Sequence, residues 1–362
     1  LALANFGPPL EIKRIEALFC SMGTAIGDIL NKEEISLDFL DGRLVGVDSF
    51  NTLYQFLSSI RGRDGSPLMD SRGRVTSHLT GLLYRTTNLI EKGIKPVFVF
   101  DGKPHKLKAE TREKRREIRT AAEKKFEKAK EEGDDEAARK FGRQSSKLTG
   151  EMIEETKKLV GLMGLTVVQA PSEGEAQVAS MVAKGDLYGC VSQDFDALLF
   201  GTPLLFRNIT ISGKRKAPGK NYYYDVKPEK IDLQKNVREL GIDRKKLVWM
   251  GILVGTDFNK KFPKVGAKTA LKLVQKFDSF EDIVKKTGHK PDFDYKEIED
   301  LFLKPESTGD YKIEFGKPDR EKIFELMVEE HDFSKERVES VLDRLCSKAE
   351  ETSTQSRLGQ WG

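Results

Sequence analysis

Cysteine is scarce in this chain. Cys20, Cys190 and Cys346 are its three cysteines, and they stand far apart among 362 residues. Their spacing matches no zinc motif, and the simple reading is a reducing, intracellular compartment. Long apolar runs are missing as well. No stretch stays apolar for about 18 residues, so no membrane span is expected. The first 21 residues place Ile12, Ile15, Leu18 and Phe19 in a weak helical pattern that Glu11 and Glu16 interrupt. They lack the continuous apolar stretch of a secretory signal. A dominant charge sign is absent too: the net charge is +4, which says little about partners.

Charge is nevertheless abundant. Charged residues make up 33% of the chain and apolar residues 38%, which indicates a soluble globular protein with a highly charged surface. The length allows one large domain with an appendage, or two domains. Basic residues cluster at 103–147, 207–220 and 260–276. Such clusters are what a polyanion would meet, and a merely solvated surface is the competing reading.

Three apolar runs stop at an acidic residue: RLVGVD (43–48), PVFVFD (96–101) and LYGCVSQDFD (187–196). Short apolar runs without alternation suit strands buried on both faces. Helical patterns lie between them, at 76–92 and 151–163. The alternation predicts an α/β fold with a mostly parallel central sheet and helices on both faces. Ligands in such sheets bind beyond the carboxyl ends of the strands, where Asp48, Asp101, Asp194 and Asp196 fall. Residues 105–149 differ, being rich in Lys, Arg and Glu, with Gly133-Asp134-Asp135 near the middle. They read as two charged helices inserted in the core, either an exposed ornament or a substrate grip. Residues 203–226 read as a hairpin around Lys214, Arg215, Lys216 and Lys220, and the chain from Asp257 to Ser347 as helical. Residues 347–362 read as a flexible polar tail.

An acid that ends a strand is often only a helix cap or turn former. The set is harder to explain that way. Ser172 is placed to cap a helix with Glu173 and Glu175 in its first turn, where acids are favoured in any case. Asp194 and Asp196 would share one face of an extended segment. Asp257 follows the apolar run WMGILVG and Thr256. Carboxylates converging on one sheet edge repel one another, and cations are the natural remedy. Oxygen-only ligands indicate Mg²⁺, with Mn²⁺ as a substitute, and the seven acids exceed the needs of one ion. Two ions about 4 Å apart suit an in-line phosphoryl displacement.

At these residues the chain resembles the flap endonuclease family, its archaeal members above all. VDSFNTLYQFL (47–57), TSHLTGLLYRT (76–86), GIKPVFVFDGKP (93–104), APSEGEAQ (170–177), SQDFDALLFG (192–201) and LVGTDF (253–258) stand in the family's order and spacing. The resemblance runs from about Met22 to the C-terminus. It implies a structure-specific nuclease that cuts 5′ flaps in replication and repair, with 5′–3′ exonuclease activity. It assigns Asp48, Asp101, Glu173 and Glu175 mainly to a first metal, and Asp194, Asp196 and Asp257 mainly to a second. Lys108 and Arg115 occupy arch positions that reach the scissile phosphate. Tyr54 matches a tyrosine that stacks on a base beside the cut, and a core aromatic is the competing reading. Arg61 is taken with it as a DNA contact. The insertion at about 105–149 corresponds to a helical arch through which a free 5′ strand passes.

FPKVGAKTA (262–270) resembles a helix–hairpin–helix-type turn. Gly266 would permit a tight backbone whose N–H groups hold a phosphate, with Lys264, Lys268 and Lys272 adding charge. The family places K⁺ in this turn. Gln355, Leu358 and Trp361 are spaced like a sliding-clamp motif, although Gly362 stands where a second aromatic is usual. The expected organisation is an extension of doubtful origin (1–21), a nuclease core (22–256), a helical duplex-binding region (257–346) and the tail (347–362). The expected partners are 5′-flap and nicked DNA and a sliding clamp. The expected state is a monomer in the cytoplasm, or in the nucleus of a eukaryote. Two alternatives stand beside this: a relative preferring bubbles or junctions, and a silent DNA-binding scaffold.

Overall fold

The strands that carry the acids form because their apolar residues have two buried faces to fill. In the computed structural model, which describes residues 24–211, 213–216 and 223–358, β1 (Glu33–Glu34) is followed by the central β2 (Leu44–Asp48). Asp48 then caps α1 (Ser49–Ser59), accepting a hydrogen bond from the Asn51 N–H at 3.1 Å. Next come α2 (Ser77–Glu91) and β3 (Lys95–Phe100), in the positions their apolar patterns predict. In β3 the period of two splits the side chains between faces. Val97 and Val99 enter one core cluster, while Phe98 and Phe100 enter the other.

The insertion is two helices, α3 (Ala109–Glu131) and α4 (Asp135–Gln144). Gly133 turns the chain between them at φ 71°, and Asp134 caps α4 by accepting from Glu136 N and Ala137 N. The pair has a small core of its own around Phe126, Ala129 and Ala138. It is clasped to the loop after α1. The Arg61 guanidinium donates to Leu57 O (3.0 Å), Gly65 O (2.8 Å) and Ser146 Oγ (2.7 Å). Gly65, at φ 81°, lies so close to Ala138 that a Cβ would sit 2.8 Å from its carbonyl.

The core resumes with α5 (Gly150–Leu162), β4 (Thr166–Gln169), α6 (Gly174–Ala183), β5 (Gly189–Val191), the short α7 (Asp196–Leu199) and β6 (Leu204–Arg207). A hairpin of β7 (Gly213–Lys216) and β8 (Tyr223–Val226) precedes β9 (Glu229–Asp232). The sheet order is β1-β9-β6-β5-β2-β3-β4. Pairs from β6 through β4 are parallel, and β9 is antiparallel to β6 and β1. The carboxyl ends of β2, β3 and β5 therefore lie at one edge. Helices α8 (Leu233–Glu239), α9 (Arg244–Val254), α10 (Ala267–Lys276), α11 (Phe280–Thr287), α12 (Tyr295–Leu303), α13 (Arg320–Phe324) and α14 (Lys335–Leu358) complete the order. The first core cluster takes side chains from α6 and from α9 to α12, the second from α1, α2, α5, α13 and α14. Helices thus cover both sheet faces, and the core runs on past residue 257.

Four local expectations are corrected. Residues 203–226 are not one hairpin: 204–207 pair with β5 and β9 in the main sheet, and the hairpin is 213–226. Its outer half carries Lys214 to Lys216, whereas Leu205 and Phe206 are fully buried, and burial draws them into the central sheet. Ser172 is not the cap of α6; Glu173 takes the N-cap backbone position, without a side-chain cap bond. Gly266 caps α10 at φ −107° with open space where a Cβ would stand, and Lys264 is the residue with left-handed φ, 61°. Residues expected as tail continue α14 to Leu358, taking in Gln355, while Trp361 lies outside the described residues.

Gly255, at φ 92° and ψ 139°, ends α9 and starts the turn that carries Asp257. A Cβ there would come 3.0 Å from the Lys261 N. Gly255→Ala is expected to destabilise the protein by about 1–3 kcal/mol. Urea unfolding checks this, and an unchanged midpoint would show that the turn tolerates a side chain.

Candidate active site

All seven predicted acids line one cavity of about 680 Å³ at the carboxyl edge of the sheet. Four routes bring them there. Asp48 and Asp101 end or directly follow parallel neighbours β2 and β3. Glu173 and Glu175 sit at the start of α6. Asp194 and Asp196 come from the loop after β5, and Asp257 from the turn after α9. The extended reading of 192–196 is corrected here. β5 stops at Val191, Phe195 is in the αR region, and Asp196 opens α7. The two carboxylates are aimed by a turn and not by a strand pleat.

Each acid is held by a particular partner. Gly174 N donates to Asp101 Oδ1 at 2.8 Å, and a Cβ on Gly174 would stand 2.7 Å from that oxygen, so glycine lets the carboxylate approach. Asn51 Nδ2 donates to Asp194 Oδ2 at 2.8 Å. Ser192 Oγ donates to Glu175 Oε1 at 2.8 Å and lies 3.4 Å from Asp48 Oδ2. Thr24 donates to Asp196 Oδ1 through its N–H, at 2.8 Å, and through its hydroxyl. From the arch, Lys108 pairs with Glu173 and lies 3.7 Å from Asp257, which also pairs with Arg115.

Burial dominates the electrostatics. Desolvation, joined by neighbouring carboxylates, pushes Asp101 and Asp196 up to about 6 and Asp194 up to about 7. Asp48 and Glu175 are raised well above the ordinary carboxyl range, again by burial first and by facing acids second. Lys108 is also desolvated, which would lower it, but Glu173, Asp257 and Asp101 raise it on balance, so it stays charged. As the side chains stand, no three metal-binding groups among the described residues converge tightly enough to hold an ion. Their oxygens point to separate hydrogen-bond partners instead. The chemistry of the set still fits a hard divalent cation: every donor is a carboxylate oxygen, and the mutual repulsion is what such an ion relieves. All seven acids share the wall of the cavity in which such an ion would sit.

The remaining predicted residues divide. Tyr54 is half-buried and lines the same cavity. The three hydrogen bonds of Arg61 all go to protein groups, in the arch clasp. Lys264, Gly266 and Lys268 are exposed around the N-terminus of α10 and Lys272 midway along it, all outside the cavity. Sequence reasoning missed Arg112, Arg116 and Arg119, which line the cavity with Arg115. Their spacing of three and four, one helix face, was a readable signal. It also missed Asn51, Ser192 and Thr24, whose partners are distant in sequence.

Comparison with known proteins fits this geometry. The XPG N-terminal domain family matches residues 22–122, and the XPG I-region family matches residues 164–257. Flap endonuclease 1 of Methanosarcina acetivorans is 51% identical over 340 residues, covering 94% of this chain and 100% of the relative. The chain belongs to the flap endonuclease family. It is accordingly a metal-dependent nuclease. Flap endonuclease 1 of Pyrococcus abyssi is similarly 51% identical over 341 residues, covering 94% of the chain and 98% of the relative. The solved flap endonuclease-1 from Methanococcus jannaschii superposes with a TM-score of 0.73 at 40% identity, covering 91% of this chain and all of that one. The catalytic core of Rad2 in complex with DNA substrate shares the fold, with a TM-score of 0.65 at 22% identity over 88% of this chain and 97% of that one.

The raised acids give flap endonuclease stability a definite pH dependence. Between about pH 4 and pH 7, the folded, metal-free protein holds carboxyl protons that the unfolded chain has released. Stability from these groups therefore falls as pH rises through that window. Asp194→Asn is expected to melt above the parent at pH 8 in EDTA, the gap closing toward pH 4. A pH-independent gap would place the Asp194 carboxyl at an ordinary proton affinity.

Proposed function

We propose that this nuclease cleaves DNA at the junction of a 5′ single-stranded flap with a duplex, and removes nucleotides 5′ to 3′ at nicks. The observation that carries the reading is the single cavity between seven carboxylates and the arginine face of α3. Carboxylates alone would repel a phosphodiester. A phosphate between the two walls meets Lys108 and Arg115 on one side and the acids on the other. Asp48, Asp101, Glu173 and Glu175 would hold one Mg²⁺, and Asp194, Asp196 and Asp257 a second, with Mn²⁺ as substitute. When bound, the ions supply an activated water and stabilise charge at the scissile phosphate. The chain's own groups orient and screen. Lys108, kept cationic by its acidic neighbours, neutralises the phosphate at the arch base. Arg115 acts beside it, and Arg112, Arg116 and Arg119 attract the strand beneath the arch. Tyr54 offers a ring for stacking on the base next to the cut, a contact indifferent to sequence.

The duplex lies against the exposed start of α10. Its first N–H groups have no side-chain cap, so a phosphate oxygen satisfies them, with Lys264, Lys268 and Lys272 nearby. The same turn is the place for K⁺. Gln355, Leu358 and Trp361 make a sliding-clamp contact weakened by Gly362. Residues 22–256 act as the nuclease core and 257–346 as the duplex grip, in a monomer.

Cleavage of 5′ flap, blocked 5′ flap, nick and Holliday junction, with Mg²⁺ and with EDTA, tests the reading. The free 5′ flap should be cut fastest, the blocked flap poorly and nothing in EDTA; preference for the Holliday junction would refute it. Asp194→Asn should lower cleavage by orders of magnitude while flap binding survives, because it removes ligand charge and leaves the basic surfaces. Lys108→Ala should slow single-turnover cleavage more than it weakens binding, and equal losses would make Lys108 an ordinary phosphate contact.

A further inference from the structure

Asn51 makes three contacts that no single neighbour repeats. Its backbone N–H donates to Asp48 Oδ1 at 3.1 Å, its side-chain Nδ2 donates to Asp194 Oδ2 at 2.8 Å, and its Oδ1 accepts from Gln193 N at 3.1 Å. It lies in the first turn of α1 and is buried, 9% exposed. The residue spans 143 positions of sequence to reach Asp194. Asp48 belongs to the first group of acids and Asp194 to the second, so one residue ties the two together, meeting Asp48 through its backbone N–H and Asp194 through its side-chain amide.

We propose that Asn51 is a positioning residue that sets the spacing and denticity of the metal carboxylates. This role rests on the two-ion reading above. The hydrogen bond from the Asn51 amide occupies Oδ2 of Asp194, so Oδ1 would be the oxygen left for an ion. That favours one-oxygen ligation, which suits the octahedral demands of Mg²⁺ over the looser coordination of Ca²⁺. The acceptor half of the amide anchors the loop backbone at Gln193, so the donor half cannot swing away. An amide gives a donor and an acceptor on separate atoms at this point: a carboxylate would repel Asp194, and an alkyl group would replace neither the donor to Asp194 nor the acceptor for Gln193 N. Ser192 supports the same loop by accepting from Asp194 N at 3.2 Å while holding Glu175.

The test is Mn²⁺ binding to the full-length protein by electron paramagnetic resonance and calorimetry, for the parent, Asn51→Ala and Asn51→Gln. Partners of metal ligands typically matter by about 10–100-fold in affinity. The parent should bind two ions. Both variants should weaken one of them by about tenfold or more, with Asn51→Gln intermediate because its amide is present but displaced. Single-turnover cleavage should then need more Mg²⁺ for half-maximal rate, with the rate largely recovered at saturation, and flap binding in Ca²⁺ should stay within about twofold. Should Asn51→Ala fail to melt cooperatively, Asn51→Gln decides the matter. Two ions bound by the variants with parental affinity would overturn the role of Asn51 alone. A parent that binds fewer than two Mn²⁺ ions would overturn the two-ion reading beneath it.

Discussion

The structure is organised around the expense of keeping several carboxylates together out of water. Five of them, Asp48, Asp101, Glu175, Asp194 and Asp196, are so desolvated that they bind protons more readily than ordinary acids. Hydrophobic packing would never place them side by side. The parallel sheet does so because the strands that bury the valines and phenylalanines all end at the same edge. Around that edge the chain supplies what offsets the repulsion: the Gly174 N–H, the Asn51 amide, the Ser192 and Thr24 hydroxyls, and the arch cations. The protein thus tolerates an unfavourable cluster that divalent cations would turn favourable.

The arch follows from the same constraint. Its residues could not sustain a full core, and they have only the small cluster at Phe126 and Ala138. Its position is fixed at both ends instead. Arg61 and the close approach of Gly65 clasp α4, and the ion pairs of Lys108 and Arg115 hold the start of α3 over the acids. Arg61 shows how a basic residue beside a nucleic-acid cleft contributes through architecture. Its guanidinium orders the loop and the arch that together shape the entrance.

Much of this was legible in the sequence, for reasons that can be stated. The strands before Asp48 and Asp101 were readable because a doubly buried strand leaves an unbroken apolar run. The seven acids were identifiable because each follows an apolar run or opens a helix, and the family resemblance tied them together. The errors came where long-range contacts outweigh local pattern. Asp194 and Asp196 looked extended by spacing, yet Ser192 and Asn51 bend the loop into a turn. Leu204–Arg207 looked like half of a hairpin until its burial drew it into the sheet between β5 and β9. Gly266 looked like a conformational necessity, while the left-handed residue is Lys264. Asn51, Ser192 and Thr24 carried no signal, because a lone amide or hydroxyl reveals its role only when its distant partner is placed.

The raised proton affinity of the acid cluster and its affinity for divalent cations are two aspects of one repulsion. Calorimetric titration of the metal-free protein with Mg²⁺ in two buffers of different ionisation enthalpy at pH 7 measures this directly. Two ions should bind, with protons released on binding and the release shrinking by pH 9. Binding with no proton release at pH 7 would contradict it.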